Sequence, residues 1–211
     1  MNILNQHFDK IYCVNLDKRT DRWSHAATQF KKYNIEVKRV SAVEGNPDNL
    51  PCISPHLIQY PGAVGCSLSH YKILKEAKEL GLSNILIFED DILFKDDWEK
   101  IYTDNYKDIP EDWDMLYLST NSIYKVITSK VSERISKAHN CLTTHSYAIK
   151  SRLFNLAMEH IIKLDQPVDG CYAHYIQPHN NCYIFDPGVC IQMNGFSDIA
   201  NRHANYSREI L

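Results

Sequence analysis

The sequence lacks the long apolar run that a membrane-spanning helix requires, since no continuous apolar stretch reaches about 18 residues. Its opening residues, MNILNQHFDK, lack the basic start and unbroken apolar segment of a secretory signal peptide. It also lacks a strong excess of either charge: 23 basic residues face 26 acidic ones, and the net charge is -3. We therefore expect a cytoplasmic chain with no transmembrane segment and no general affinity for nucleic acid.

The cysteines do not suggest a disulfide framework. They number seven and are scattered from Cys13 to Cys190, a distribution typical of reduced thiols in packed interiors. The 211 residues, 44% of them hydrophobic, suffice for one substantial core, and no repeat or low-complexity tract divides the chain. We expect a single domain over residues 1–211.

Short apolar strands alternate with amphipathic helices along the chain. The first strand, KIYCVNL at 10–16, is followed by helical spacing of apolar residues over 20–34, with Thr20 as the expected N-cap. Further strands are predicted at 35–43, 84–88 and 112–120, a hairpin or strands at 126–149, and further helices at 67–80 and 151–163. This alternation predicts an α/β, three-layer domain with a mostly parallel central sheet.

An acidic triplet interrupts the apolar stretch ILIFEDDILF at 85–94. If the strand continues through it, Glu89 and Asp91 share one side while Asp90 points away. Carboxylates at the carboxyl end of a central strand lie where open α/β sheets bind ligands, and hard divalent cations prefer such oxygen ligands. The alternative is a turn in which Asp90 or Asp91 accepts hydrogen bonds from free backbone N–H groups.

Six short blocks extend this pattern over nearly the whole chain: VNLDKRTDR (14–22), GAVGCSLSHYKIL (62–74), LIFEDDILF (86–94), THSYAIKS (144–151), PVDG (167–170) and GFSDI (195–199). In this order and spacing, over roughly residues 9–202, the chain resembles glycosyltransferase family 25, which includes bacterial lipooligosaccharide galactosyltransferases and the collagen galactosyltransferase domain. The resemblance implies a GT-A fold, which is Rossmann-like, and Mn²⁺ or Mg²⁺ as cofactor. It also implies inverting transfer of a hexose, galactose or glucose, from a UDP-sugar to a glycan, lipid-linked glycan or protein acceptor.

The resemblance also implies roles for individual residues. Asp91 is the first expected metal ligand and Glu89 the second. Contacts with the nucleotide-sugar donor are expected from polar groups of four blocks: Asn15, Arg19, Arg22, Asp90, Ser67, His70, Ser197 and Asp198. The alternatives are a solvated loop for the first block, a plain glycine-containing helix start for the second, in which Cys66 is a packing residue, and an ordinary loop cap for Asp198.

An inverting transfer needs a base that deprotonates the acceptor hydroxyl, and Asp169 of the PVDG block is the expected one. Its alternative role is N-cap of a short helix. A competing pattern, C-x2-H-x4-H-x2-C at Cys171, His174, His179 and Cys182, has the spacing of a small zinc site. Two other functions stay open: a catalytically silent nucleotide-sugar-binding protein on the same scaffold, and Mg²⁺-dependent phosphoryl transfer, which the position of the triplet fits poorly.

Overall fold

The computed structural model describes residues 1–46, 48, 50, 54–121 and 127–206. The α-helices in these ranges are α1 Ile3–His7, α2 Thr20–Lys32, α3 Pro55–Ile58, α4 Pro61–Glu79, α5 Trp98–Tyr106, α6 Phe154–Ile161 and α7 Val168–Cys171. The strands are β1 Lys10–Asn15, β2 Lys38–Ser41, β3 Asn84–Glu89, β4 Ile92–Phe94, β5 Met115–Tyr117, β6 Ile127–Lys130, β7 Ile135–His139, β8 Ser146–Lys150, β9 Cys182–Phe185, β10 Cys190–Gln192, β11 Gly195–Ser197 and β12 Arg202–Ala204.

One large sheet organises the chain, with strand order β2-β1-β3-β8-β5-β9-β7-β6. Strand β1 runs parallel to β2 and β3, and β5 runs parallel to β9. The other pairings are antiparallel, so only β8 and β7 run against the direction of the remaining six strands. This confirms the α/β class with a mostly parallel central sheet. Two small antiparallel ribbons, β4 with β10 and β11 with β12, lie outside it.

Helices cover both faces of the large sheet. Successive strand residues point to opposite sides, so each face of the sheet contributes to a separate core. In β1, Tyr12 and Val14 belong to a core that includes residues of α4, α6 and α7. The intervening residues, Ile11 and Cys13, belong to the second core, with residues of α1, α2 and α5. The predicted three layers are therefore present.

Helix α4 begins earlier than its sequence pattern predicts. The prediction started it at Ser67, whereas the helix begins at Pro61 and includes two glycines. A Cβ on Gly65 would lie 2.3 Å from the carbonyl oxygen of Val43 and 2.7 Å from the amide nitrogen of Gly45. The glycine therefore permits a close approach between this helix and the loop after β2, which brings the helix start to the carboxyl edge of the sheet.

Other boundaries differ from the predictions by a few residues. Thr20 is the first residue of α2 and not its N-cap, a position that Arg19 holds without a side-chain cap bond. The predicted end of α4 at residue 80 is confirmed within one residue: the helix ends at Glu79, Leu80 is its C-cap, and Gly81 follows with φ of +66°. Val126, the first residue of the predicted hairpin region, lies outside the described residues. No helix within the described ranges is long and apolar enough to span a membrane.

Candidate active site

The acidic triplet lies at the carboxyl end of β3. Glu89 is the last residue of that strand, and Asp90 and Asp91 form the turn that leads to β4. Arg22, from α2, bridges the two aspartates: Nη1 lies 2.9 Å from Asp90 Oδ1 and Nη2 lies 2.6 Å from Asp91 Oδ2. The prediction that Asp90 points away from Asp91 is therefore wrong, because side-chain alternation ends where the extended pairing of β3 ends.

Two amides hold the aspartates from other parts of the chain. Asn15, at the end of β1, donates from Nδ2 to Asp90 Oδ2 over 2.6 Å. Gln192, at the end of β10, donates from Nε2 to Asp91 Oδ2 over 2.9 Å. The other carboxylate oxygen of Asp91, Oδ1, is buried and has no hydrogen-bond partner within the described part of the chain. One buried oxygen of Asp91 is thus free to accept a ligand.

Negative charge is concentrated around this oxygen. Burial and the nearby Glu89 carboxylate raise the pKa of Asp91 to about 7. Burial also raises the pKa of Asp90, although Arg22 and Asn15 oppose the rise. Burial acts in the same direction on the pKa of Glu89, but contacts with His70 and Thr144 outweigh it and hold that pKa below its usual value. Because hard divalent cations prefer carboxylate oxygens, Asp91 and Glu89 fit Mn²⁺ or Mg²⁺.

A cavity of about 310 Å³ opens in front of the triplet. Its walls come from the ends of β1 and β3, the first half of α4 and the segment that contains β11. All three acids and most of the predicted donor-binding residues line it: Asn15, Arg22, His70, Glu89, Asp90, Asp91, Ser197 and Asp198. The structure thus brings together side chains that are up to about 180 positions apart in the sequence.

Two of the residues predicted to contact the nucleotide-sugar donor, Ser67 and Arg19, do not line this cavity. The Ser67 hydroxyl is fully buried and donates to the carbonyl oxygen of Ala63 within α4. Ser67 does not line the cavity, so that prediction is not supported. Arg19 pairs with Asp21 and with Asp198, and it lines a smaller neighbouring cavity that also contains Asp91. Its pairing with Asp198 links the start of α2 to the segment after β11.

A second cavity, of about 350 Å³, adjoins the first. The two share a wall formed by Cys66, Glu89, Gln192, Ser197, Ile199 and Tyr206. Asp169 lines the second cavity from the first turn of α7. Pro167 is the N-cap of that helix and Asp169 accepts from the adjacent Gly170 amide over 2.8 Å, so the N-cap role for Asp169 is wrong. Burial raises its pKa above the usual aspartate value, and the Glu89 charge adds to the rise.

The alternative zinc pattern is not assembled. His174 is exposed and its Nδ1 lies 2.8 Å from the carbonyl oxygen of Gly170, while the Cys171 thiol is directed at the carbonyl oxygens of His160 and Gln166. Among the described residues, these side chains do not form a group of potential metal ligands. The two cysteines and two histidines of this pattern are close in the sequence, but the fold does not bring their side chains together.

Some site residues were missed in the sequence. Thr144 donates to Glu89 Oε1 over 2.7 Å, and its position at the start of the THSYAIKS block was the available signal. Gln192 is 101 positions from its partner Asp91, and its surroundings in the sequence gave no indication of a role. Tyr206 lines both cavities and follows the last predicted block.

Comparison with known proteins identifies relatives by sequence. The chain is 32% identical over 128 residues to human procollagen galactosyltransferase 2, an alignment that covers 53% of this chain and 20% of that protein. It is 30% identical over 134 residues to the mouse inactive glycosyltransferase 25 family member 3, covering 55% of this chain and 22% of that protein. The chain therefore spans about a fifth of the length of these relatives.

A solved structure supports the fold independently of sequence. It is a glycosyltransferase involved in the glycosylation of the major capsid of PBCV-1, with a TM-score of 0.53, 7% identity, and coverage of 84% of this chain and 81% of that one. The family model "Glycosyltransferase family 25 (LPS biosynthesis protein)" matches residues 8–184, which is most of the chain. The chain belongs to glycosyltransferase family 25.

Proposed function

We propose that this chain is a metal-dependent, inverting glycosyltransferase that moves a hexose, galactose or glucose, from a UDP-sugar to a hydroxyl of a glycan, lipid-linked glycan or protein. The observation that carries the proposal is the pair of adjoining cavities, one containing the acidic turn and the other containing Asp169. A donor and an acceptor have to meet at one reacting carbon, and Glu89 lies in the wall common to both cavities. A cytoplasmic location is part of the proposal.

The first cavity is assigned to the donor. Arg22 and Lys18 line it and provide positive charge for a diphosphate, and the first half of α4 contributes the small residues Gly62 and Ser69. Asp91 and Glu89 would hold the divalent cation, which as a Lewis acid stabilises the charge on the leaving diphosphate. Arg22 is paired with Asp91, so its guanidinium lies beside the carboxylate that would hold the cation.

The second cavity is assigned to the acceptor, with Asp169 as the general base. A base must be within hydrogen-bond reach of the hydroxyl that it deprotonates. The Asp169 carboxylate is mostly buried, lines the cavity and is not paired with a basic side chain in the part of the chain that the structure describes. Its raised pKa strengthens it as a proton acceptor once it is ionised.

The metal assignment is tested with Asp91→Asn. We expect the variant to lose transfer and the Mn²⁺-dependent part of UDP binding, measured by calorimetry, because the amide removes the charge that a hard cation requires. Asp96→Asn is the control, since that side chain is fully exposed two residues beyond β4 and its change should affect neither property. Unchanged Mn²⁺-dependent UDP binding in Asp91→Asn would reject the assignment.

The base is tested with Asp169→Asn. We expect loss of transfer with UDP affinity retained, because the residue lies in the second cavity and not in the first. In the unaltered protein the acid limb of the kcat/KM profile should lie above the ordinary aspartate range, because the base is active only when ionised and burial raises its pKa. Asp165→Asn is the control, since Asp165 accepts from Tyr175 outside both cavities. Full turnover in Asp169→Asn would refute the role.

A catalytically silent nucleotide-sugar-binding protein is the second candidate, and the similarity to the mouse family member described as inactive favours it. A thermal-shift scan of nucleotide sugars with Mn²⁺ and Mg²⁺ identifies the donor in either case, since a ligand at 100 times its Kd stabilises the fold by about 2.7 kcal/mol. UDP release that depends on the acceptor then distinguishes the active transferase from the silent binding protein. Stabilisation by a donor without any such release supports the silent protein.

A further inference from the structure

A cysteine, a histidine and a glutamate converge at the wall between the two cavities. Cys66 and His70 are one turn apart on α4, and Glu89 ends the neighbouring strand β3. Their potential ligand atoms, one sulfur, one nitrogen and one oxygen, all lie within 4.8 Å of one another. This is the single group of three such side chains that the described residues contain.

The histidine has the environment of a metal ligand. Its Nδ1 lies 2.8 Å from the Tyr147 hydroxyl, which in turn lies 3.0 Å from the Tyr172 hydroxyl. Its Nε2 is fully buried without a hydrogen-bond partner in the described structure, and it lies 3.7 Å from Glu89 Oε1, too far for a hydrogen bond. Metal-binding histidines characteristically fix one nitrogen by a hydrogen bond and present the other to the ion.

The other two ligands are also suitably placed. Glu89 Oε1 accepts from Thr144 over 2.7 Å, a bond that orients the carboxylate. Cys66 is a free cysteine and is partly accessible, whereas the other five free cysteines of the described ranges are buried. All three side chains line the first cavity, so an ion bound by them would have an open position toward it.

We propose that Cys66, His70 and Glu89 form a binding site for a thiophilic divalent cation of the Zn²⁺ class, chemically distinct from the all-oxygen set at the acidic turn. Sulfur and imidazole ligands select borderline and soft ions, while Mg²⁺ prefers oxygen. Three protein ligands with one open position are the pattern of zinc sites that accept a further ligand. On binding, the Cys66 thiol releases its proton to solvent, and the thiolate takes the metal.

The proposed Cys66–His70–Glu89 site does not depend on the proposed transferase activity. Metal binding there would nevertheless affect that activity through Glu89. That carboxylate is the second expected ligand at the acidic turn, so an ion held by Cys66 and His70 would compete for it. Zn²⁺ is therefore expected to lower Mn²⁺-dependent UDP affinity in the unaltered protein.

Co²⁺ is the probe, because a cobalt–thiolate bond produces a charge-transfer absorption that oxygen and nitrogen ligands do not. We expect the unaltered protein to develop this band with one equivalent of Co²⁺ and to lose it when Zn²⁺ is added. Cys66→Ser should abolish the band. Cys171→Ser, which alters a buried thiol of the rejected zinc pattern, is the matched control and should retain it. No band in the unaltered protein, or a band that persists in Cys66→Ser, overturns the proposal.

A second measurement uses the unaltered protein and decides the question if Cys66→Ser does not fold. Cys66 is alkylated with N-ethylmaleimide and the adduct is located by mass spectrometry. Zn²⁺ should protect Cys66, whereas Mg²⁺ should leave its labelling unchanged. Equal protection by both ions, or none by Zn²⁺, contradicts a thiolate-bound metal.

Discussion

Arg22 is the side chain whose removal should perturb the site most. Its guanidinium bridges Asp90 and Asp91, whose side chains are only 7% and 5% exposed, and it is itself 18% exposed. In Arg22→Met the aliphatic stem is kept and both carboxylates lose their counter-ion. Removing one partner of a buried ion pair costs about 3–5 kcal/mol, because an uncompensated charge stays in the interior. We expect a loss of that order in the free energy of unfolding.

Urea denaturation followed by circular dichroism measures this loss, with Arg134→Met as the matched control. Arg134 faces Asp108 at 3.7 Å with both side chains substantially exposed, so its removal should cost less than about 1 kcal/mol. Adding Asp91→Asn to Arg22→Met should recover part of the loss, since one stranded charge is removed. A loss below about 1 kcal/mol in Arg22→Met would refute the reasoning, because the two carboxylates would then be as well solvated as surface groups.

The same variant also tests the metal assignment. Without Arg22, a divalent cation at the unpartnered Oδ1 would supply positive charge to the Asp91 carboxylate, since the Gln192 amide that donates to Oδ2 is neutral. We therefore expect Mn²⁺ to stabilise Arg22→Met more than the unaltered protein in the same urea titration. Equal stabilisation of the two proteins would contradict a cation at these carboxylates.

Two further changes test the wall of the first cavity and the hydrogen bond that orients His70. Gly62→Ala should weaken UDP binding in calorimetry, because its Cβ would lie 2.6 Å from the backbone carbonyl oxygen of Asp198 and displace that segment, whereas Gly195→Ala, with nothing within 4 Å, should have no effect. Tyr147→Phe should weaken Co²⁺ binding about 10–100-fold, the usual range when the hydrogen bond that orients a ligating histidine is lost. Unaltered affinities would show that Gly62 is not a constraint, or that Tyr147 does not orient His70.

Much of the fold was predictable because the signals are local. The strands β1 and β3 and the helix α2 follow from short apolar runs and helical spacing, and they appear within a few residues of their predicted bounds. The first turns of α4 were not predictable in this way. Gly62 and Gly65 are poor helix formers, and the helix extends over them because it packs closely against the loop that contains Gly45.

Some features of the candidate site were likewise predictable from the sequence, and others were not. The sequence by itself determined the class of fold and the acidic triplet at a strand end, since both depend on local patterns, and the order of six short blocks along the chain indicated the family. Only the tertiary structure decided that Arg22 lies between Asp90 and Asp91, that Gln192 contacts Asp91 from 101 positions away, and that Cys66 lies with His70 and Glu89. These contacts arise from strand order and helix placement, which bring distant segments together. Such long-range contacts produce no recognisable pattern in the neighbouring sequence.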